Sequence, residues 1–292
     1  MKKIVAVLLV SSMLLSLAGC GNKEKERKSK KNRRETPAVT EPVSQELHAA
    51  TVERNNGQKA VFELAAQAVT SSTDPNEERI KNDKAYSEFI FELMKNCAQE
   101  ADGENVMISA DSIFFALSMT AAGANGNTLD QMMNTMMPGT NNVDAFGYAV
   151  RRMNSLQNDS LKIANSIWIN EKRSEHVYAD YLDYVKQNFD AGVDILKFDQ
   201  SAVGRINGWV SEKTDGMIDE LLKDLDSNSL MVLVNAIAFD GKWETSYEDY
   251  QVSELPFRNG KGERKAVTML NGEEGTYFSN SKAEGFTKDY DD

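Results

Sequence analysis

The 292-residue chain contains only two cysteines and two histidines, and their scarcity excludes several classes of protein. Cys20 lies in the N-terminal leader and Cys97 is the second cysteine, so no disulfide is expected within the folded part. His48 and His176 have no further metal ligand at a usable spacing. Cys97 falls on the apolar face of a helical pattern, where a buried, unreactive thiol is the expected role. The sequence therefore predicts neither a disulfide-stapled scaffold nor a metal enzyme.

Motifs of catalysis are equally scarce. The chain has no G-x-S-x-G, no H-E-x-x-H and no phosphate-binding glycine loop, and "GANGNT" at 123–128 joins two helical patterns without a preceding strand. A hydrolase built on a carboxylate pair stays open only because an acidic chain offers many such pairs. The pattern predicts a protein that is not an enzyme and that uses no cofactor.

Long hydrophobic runs are absent after the first twenty residues. Residues 1–20 carry Lys2 and Lys3, an apolar run at 4–17 and small residues that end at Cys20, as in a secretory signal. The "LAGC" stretch resembles a bacterial lipobox, in which the cysteine is lipidated; the alternative is an ordinary signal peptide with a chance cysteine. A multiply acylated Cys20 would hold the protein at a membrane, on the cell surface or in the envelope.

The charge is distributed unevenly along the chain. Residues 21–35 hold eight basic and three acidic side chains, and a Thr/Pro/Glu-rich stretch follows to residue 57. We expect 21–57 to be a solvated tether, with binding to nucleic acid or anionic lipid as the alternatives for the basic run. The first 35 residues carry a net charge of +7, so residues 36–292 carry a net charge of −19. This acidity disfavours nucleic acid as a partner. Residues 58–80 are a short extension with a possible helix at 58–70.

The folded region is predicted at 81–292, where the period of the apolar residues changes from helical to alternating. Helices are expected at 82–99, 110–123, 128–136, 143–156, 178–189 and 201–213, with Thr128 as the cap of the third. Strands are expected at 105–109, 161–169, 193–198 and 229–239, at 254–270 around an Asn259-Gly260 turn, and at 274–280. Helices come first and strands later, which is typical of an α+β fold and not of a doubly wound sheet.

Four blocks carry a resemblance to a known family. They are "NVMISADSIFFALSMTAAGANGNTLDQMM" (105–133), "INGWVSEKTDGMIDELL" (206–222), "LMVLVNAIAFDGKWE" (230–244) and "LPFRNGKGERKAVTML" (255–270). Together they are similar to the serpins, the serine protease inhibitors, and the likeness covers 81–292 without a large gap. The resemblance implies N-terminal helices packed on a large mixed or antiparallel central sheet, with further β-sheets beside it.

The stretch "VLVNAIAFDGKWE" raises a specific question, because Asn235 stands in a buried apolar strand. A buried amide is costly unless it is hydrogen-bonded. The resemblance places Asn235 in the serpin region called the shutter, with Ser109 and Ser112 beneath it. The alternative is that the Asn235 amide hydrogen-bonds backbone groups left unpaired by a β-bulge.

The resemblance also implies roles for residues near the ends of the sheet. Trp243 matches the tryptophan of the breach, where a reactive loop first enters, and Gly241 is expected to allow the sharp turn that places it. The alternative for Trp243 is a generic core aromatic. Trp209, Thr214 and Gly216 match the helix and linker that cross the sheet and shift as it expands.

The resemblance implies suicide inhibition of an endopeptidase of the serine class, or of the cysteine class. The inhibitor offers a reactive loop as bait, and after cleavage this loop inserts into the inhibitor's own sheet as a new strand. Two departures from the family pattern stand out: Ala110 replaces a proline, and Asp111, expected here to be a helix N-cap, replaces an apolar residue. The shutter histidine, hinge and reactive loop of serpins would lie beyond residue 292, so a truncated, inactive chain with exposed strand edges is expected. A non-inhibitory serpin-fold binding protein is the alternative, and a solute-binding lipoprotein is a further one that the element order argues against.

Overall fold

The computed structural model describes residues 75–291. The predicted leader and tether, with Cys20 and His48, and most of the 58–80 extension lie outside the described residues. Within the described part, none of the helices has the length and apolarity needed to cross a membrane.

Six α-helices form where the helical period predicts them. They are α1 (Pro75–Glu100), α2 (Ala110–Ala122), α3 (Gly126–Met136), α4 (Asn142–Leu156), α5 (Ala179–Phe189) and α6 (Gln200–Lys213). Helix α1 begins seven residues earlier than predicted, with a proline in its first position and Glu77 and Glu78 in its first turn. Helix α3 is capped by the Asn125 side chain, so the prediction of Thr128 as its cap is wrong.

Seven strands follow the first four helices. They are β1 (Leu161–Asn170), β2 (Ala191–Leu196), β3 (Met231–Phe239), β4 (Val252–Arg258), β5 (Arg264–Leu270), β6 (Thr276–Ser279) and β7 (Glu284–Thr287), with short 3₁₀ turns at Glu171–His176 and Asp249–Gln251. The predicted strand at 105–109 is not formed, because that segment has no strand partner within 75–291 and leads instead into the cap of α2. Strand β7 was not predicted.

The largest sheet is mixed. Its order is β2-β1-β3, with β1 parallel to β2 and antiparallel to β3. Asn165 of β1 lies directly opposite Asn235 of β3 in this register. Strand β3 pairs only with β1 among the described strands, so its other edge is open. The remaining described strands form two two-stranded ribbons, β4-β5 and β6-β7.

The three-stranded sheet lies between two apolar layers. Odd-numbered residues of β1 and β3, such as Ile167 and Leu233, pack with α1–α5 in the larger core. Even-numbered residues, such as Trp168 and Val234, pack with Ile206 of α6 in the second core. The second half of β1 is therefore buried on both faces, whereas the sequence predicted burial on one side.

The two ribbons expose apolar side chains. Phe257 of β4 is 49% exposed, and Phe286 of β7 is 57% exposed. In residues 244–291 no side chain is fully buried, so this region adds no core of its own.

Candidate functional site

A chain of buried hydrogen bonds crosses the middle of the main sheet. The Ser112 hydroxyl donates to Asn235 Oδ1 over 2.5 Å, and Asn235 Nδ2 donates to Asn165 Oδ1 over 2.7 Å. Asn165 Nδ2 in turn donates to the carbonyl of Phe189 over 2.7 Å. We call this chain the amide relay: Ser112, Asn235, Asn165 and the Phe189 carbonyl. It links α2, β3, β1 and the end of α5 through one contiguous set of polar groups.

The relay is anchored at a helix start. Ser109 is the N-cap of α2, and its hydroxyl oxygen accepts from the Ser112 backbone N–H over 3.2 Å. At the opposite end, Phe189 is the last residue of α5, where carbonyls have no partner within the helix. Asn165 therefore provides a hydrogen-bond donor to a carbonyl at the helix terminus and an acceptor to Asn235 on the opposite strand.

The polar groups of the relay are almost completely removed from solvent. Asn235 is 1% exposed, Asn165 is 4% exposed, and Ser112 is fully buried. Each amide uses both its oxygen and its nitrogen within the relay, which offsets the cost of burial. The regular β1–β3 register runs through Asn235, so the bulge alternative is wrong.

Asp111 has a different role from the predicted one. Ser109 caps the helix, while Asp111 in the first turn accepts two hydrogen bonds from Arg152 of α4 at 2.5 and 3.1 Å. The Tyr86 hydroxyl of α1 also donates to Asp111 over 2.6 Å, and the Arg152 guanidinium lies 4.2 Å from the Tyr86 ring centroid. Asp111 thus ties α1, α2 and α4 together beside the relay.

The predicted helix and linker lie across the other face of the sheet. Trp209 of α6 contacts Trp168 of β1 edge to face, with centroids 6.2 Å apart. Buried Thr214 ends α6, donating to the Val210 carbonyl and accepting from the Ile218 N–H. Gly216 has a φ of +75°, which favours glycine, and its N–H donates to the Ser211 carbonyl.

A residue that the sequence reasoning missed holds this linker onto α6. Asn207 accepts from the N–H groups of Leu221 and Leu222 and donates to the Leu222 carbonyl. Lys162 of β1 adds an ion pair with Asp215 in the linker at 2.7 Å. Asn207 follows Arg205 in an amphipathic helix, so it lacks the purely apolar surroundings that distinguish Asn235 in the sequence.

Trp243 lies beyond the end of β3 and contacts residues near the end of the chain. Its ring stacks on Tyr290 with centroids 4.4 Å apart, and the two residues form an isolated antiparallel bridge. Lys288 lies near the rings of Trp243 and Tyr247 and pairs with Glu274 at 2.8 Å. Trp243 is only half-buried, so the generic core aromatic alternative does not describe it.

Gly241 is required for a different reason from the predicted one. Its φ is not in the left-handed region, so the backbone there tolerates other residues. A Cβ at this position would lie 2.5 Å from Phe239 Cζ and 2.9 Å from Tyr290 Cδ1. Close approach of two aromatic rings, rather than a special turn, therefore favours glycine.

Residues 84–288 match the family model "Serpin (serine protease inhibitor)". The chain belongs to the serpin family. This membership replaces the solute-binding alternative, and the family is one of protease inhibitors, not of enzymes.

Individual relatives agree with the assignment. The chain is 31% identical to the leukocyte elastase inhibitor of Sus scrofa, over 64% of this chain and 51% of the relative. It is 33% identical to serpin B9 of Homo sapiens, over 62% of this chain and 50% of the relative. The chain spans about half the length of the curated relatives that it matches.

A solved structure supports the fold. The crystal structure of the thermophilic serpin tengpin in the latent state aligns with a TM-score of 0.64 and 38% identity, over 75% of this chain and 59% of that chain. The serpin fold, with its helices and its mixed and antiparallel sheets, is thereby confirmed.

Proposed function

We propose that this serpin inhibits an endopeptidase of the serine class, or of the cysteine class, by trapping it. A reactive loop is offered as bait, and after cleavage it inserts as a new strand into the sheet that contains β1 and β3. The amide relay is the single observation that carries this proposal, because it places exchangeable polar contacts in the centre of an otherwise apolar sheet.

Insertion would take place beside β3. Strand β3 pairs with β1 among the described strands, and we propose that the inserted strand pairs with its other side. Each added ladder hydrogen bond would stabilise the inserted state relative to the starting state. No cofactor is needed for this step.

The chemistry of the relay fits a sheet whose strands must move. Interdigitated apolar side chains resist sliding, because every intermediate position opens voids. Hydrogen bonds of Asn235 to Ser112 and Asn165 can instead be exchanged for new partners as strands shift. We therefore propose that Ser109, Ser112 and Asn235 serve as the shutter, with Asn165 as a further member.

Two further regions would move with the sheet. Helix α6 and the linker through Thr214 and Gly216 cover the face of β1 and β3, so they must shift when a strand is added. Trp243 lies just beyond β3, and we propose it as the breach residue at the entry point of the loop.

The protein is further proposed to act outside the cytoplasm, at a membrane. The leader at 1–20 supports secretion, and lipidation of Cys20 followed by the 21–57 tether would hold the folded part near the bilayer. Metabolic labelling with a radioactive or clickable fatty acid tests this: label is expected in the wild type and not in Cys20→Ser.

Inhibition is tested by the formation of covalent complexes. The protein, expressed from its complete reading frame, is incubated with trypsin-like, elastase-like, subtilisin-like and papain-like proteases, and the products are separated in SDS. At least one protease is expected to give an SDS-resistant complex, and the same protease with its nucleophile chemically blocked is expected to give none. Absence of any complex across the four classes would overturn the proposal and favour a non-inhibitory serpin-fold binding protein.

A further inference from the structure

Helix α6 and the linker residues 214–225 form a flap over one face of the main sheet, where their apolar side chains share the second core with β1 and β3. The register of the sheet fixes where this flap is attached. Leu196, the last residue of β2, is paired with Asn170, and Met231, the first residue of β3, is paired with Ile169. Both attachments of the flap are therefore at the same end of the sheet.

Asn170 anchors the attached end of the flap. This residue is 1% exposed, and its side-chain nitrogen donates to the carbonyls of Ser227 and Ser229, each over 2.9 Å. Its side-chain oxygen accepts from the Lys172 N–H over 3.1 Å. The amide thus uses its nitrogen and its oxygen, as a buried amide should. The segment that joins the flap to β3 is thereby fixed to the end of β1.

The tip of the flap, residues 214–216, is held to the sheet by an exposed ion pair. Asp215 in the tip pairs with Lys162 of β1 at 2.7 Å. Lys162 is paired with Ala238, the last residue but one of β3, so the tip lies at the end of the sheet that leads to Trp243. Both side chains of the ion pair are more than half exposed, and such pairs contribute little to stability. The tip can therefore be released at little cost.

A second ion pair between the flap and the sheet lies nearer the attached end. Arg205 of α6 pairs with Asp194 of β2 at 2.7 Å, and Asp194 is paired in the sheet with Trp168, two positions before Asn170. A contact close to a pivot separates little when the far end of a rigid body lifts. The two ion pairs therefore have the same length and different expected roles.

Asn207 joins the two halves of the flap. The linker residues 214–225 form neither helix nor strand, so their backbone groups need other partners. The Asn207 side-chain oxygen accepts from the N–H groups of Leu221 and Leu222 over 3.0 and 2.8 Å, and its nitrogen donates to the Leu222 carbonyl over 2.7 Å. One side chain of α6 thus makes three hydrogen bonds to the linker backbone and holds it in a fixed position beside the helix.

We propose that the flap moves as one rigid body, which lifts at its tip and pivots at the end anchored by Asn170. Asn207 is the positioning residue that couples the linker to α6, and the Lys162–Asp215 ion pair is the latch that opens as the tip lifts. The role of this movement in trapping rests on the proposed function, in which α6 and the linker shift when a strand is added. The movement itself is measured without a protease.

Native-state hydrogen exchange of the full-length protein at low urea concentrations tests the rigid body. The reporter in the linker is the Ile218 N–H, which donates to the Thr214 hydroxyl and not to Asn207. In the wild type, Ile218 and Val210 of α6 are expected to open together, before the amides of β1 and β3. Asn207→Leu is expected to make Ile218 exchange at least about tenfold faster and to change Val210 by less than about twofold.

Two further variants show whether the hydrogen bonds of Asn207 are responsible. Asn207→Asp keeps the acceptor for two N–H groups, and its Ile218 exchange rate is expected to lie closer to the wild type than to Asn207→Leu. Asn188→Leu is the matched control, because the Asn188 amide donates within its own helix, α5, and Ile218 is expected to be unaffected. Separate opening of Ile218 and Val210 in the wild type, or an unchanged Ile218 rate in Asn207→Leu, would overturn the proposal.

Reversal of charge tests the latch and the pivot. Lys162→Glu is expected to speed Ile218 exchange by about 2- to 5-fold, and the double variant Lys162→Glu/Asp215→Lys is expected to restore the wild-type rate. Arg205→Glu removes the ion pair nearer the attached end and is expected to change the rate by less than about twofold. Equal effects of Lys162→Glu and Arg205→Glu would rule out a pivot at the Asn170 end.

A protease that forms an SDS-resistant complex extends the test to trapping, with protein expressed from the complete reading frame. In Asn207→Leu the linker no longer lifts with α6, so insertion is delayed and more inhibitor is cleaved without trapping. The molar ratio of inhibitor to protease needed for full inhibition is expected to rise at least about twofold, and Asn188→Leu is expected to leave it unchanged. An unchanged ratio in Asn207→Leu would overturn the role of the flap in trapping. Absence of complexes with the wild type would overturn the proposed function instead, and the exchange rates would still decide whether the flap is one body.

Discussion

Asn165 and Asn235 lie directly opposite one another on neighbouring antiparallel strands, and the Asn235 amide nitrogen donates to the Asn165 amide oxygen over 2.7 Å. Seventy residues separate them in the chain. Neither amide is satisfied without the other, since each of their remaining hydrogen bonds is made to a different element. The pair is therefore one polar unit shared by β1 and β3.

Replacing Asn235 with leucine tests this unit. Leucine is more apolar and of similar size, so a simple burial argument predicts added stability. We expect a loss of about 2–4 kcal/mol instead, because the Ser112 hydroxyl and the Asn165 carbonyl oxygen lose their partner in a buried site. The measurement is urea unfolding followed by circular dichroism.

The matched control is Asn165→Leu, analysed with the double variant. A coupling energy of about 0.5–3 kcal/mol between the two substitutions is expected, as for residues in direct contact. Additive effects would contradict a shared polar unit. A stabilised Asn235→Leu protein would do so as well.

The Gly241→Ala substitution tests whether close approach, and not backbone conformation, requires glycine at the end of β3. The added methyl would meet Phe239 and Tyr290, so one ring must move and the stack on Trp243 should loosen. We expect a loss of about 1–3 kcal/mol, as for overpacking, with a change in tryptophan fluorescence. Thermal and chemical unfolding of the variant provide the measurement.

Gly204→Ala is the matched control, because this glycine lies within α6 and a Cβ there meets nothing within 4 Å. The same change is expected to stabilise the protein by about 0.5–1 kcal/mol at this position. Equal effects of the two substitutions would show that Gly241 is an ordinary glycine.

The sequence predicted local features well and tertiary partners poorly. Helical periodicity located all six helices, since apolar spacing and caps are properties of neighbouring residues. Asn235 was noticed because its apolar surroundings are local, but Asn165 was missed because its importance depends on a strand pairing 70 residues away. At Gly241, one of the two rings that crowd a Cβ belongs to nearby Phe239, but the other belongs to Tyr290, 49 positions further along, and could not be predicted. The strand at 105–109 failed for the same reason: its pattern is compatible with a strand, but pairing decides whether one forms.

Adjacent arginines on α4 provide the next prediction. Arg152 makes two hydrogen bonds to Asp111 and lies over the Tyr86 ring in a partly buried position. Arg152→Leu is expected to destabilise the protein by about 1–3 kcal/mol, since a partly desolvated carboxylate loses its cation. Arg151 pairs with Glu78 at 3.6 Å in a more exposed setting, and Arg151→Leu is expected to cost less than about 1 kcal/mol. Equal losses in urea unfolding would contradict the structural role of Asp111.

Buried tyrosines predict a loss of stability at alkaline pH. Burial, aided by the hydrogen bond to Asp83, raises the pKa of Tyr148 to about 12, although nearby Arg152 opposes the shift. The pKa values of Tyr86, Tyr181 and Tyr184 are raised as well, in each case first by burial. Because an unfolded tyrosine titrates near about 10, unfolding releases protons above that pH. The stabilising contribution of Tyr148 is therefore complete below pH 10 and disappears as pH rises toward 12.

This dependence is measured as the free energy of unfolding in urea between pH 8 and about 11.5. Each tyrosine that ionises only on unfolding makes the free energy of unfolding fall more steeply above pH 10, by at most about 1.4 kcal/mol per pH unit. Tyr148→Phe is expected to reduce the slope by as much as one such increment, whatever its effect at pH 8. Tyr250→Phe, which removes a hydroxyl from a side chain that is 84% exposed, serves as the control and is expected to leave the slope unchanged. Parallel curves for wild type and Tyr148→Phe would mean that the Tyr148 hydroxyl ionises as readily in the folded protein as in the unfolded chain.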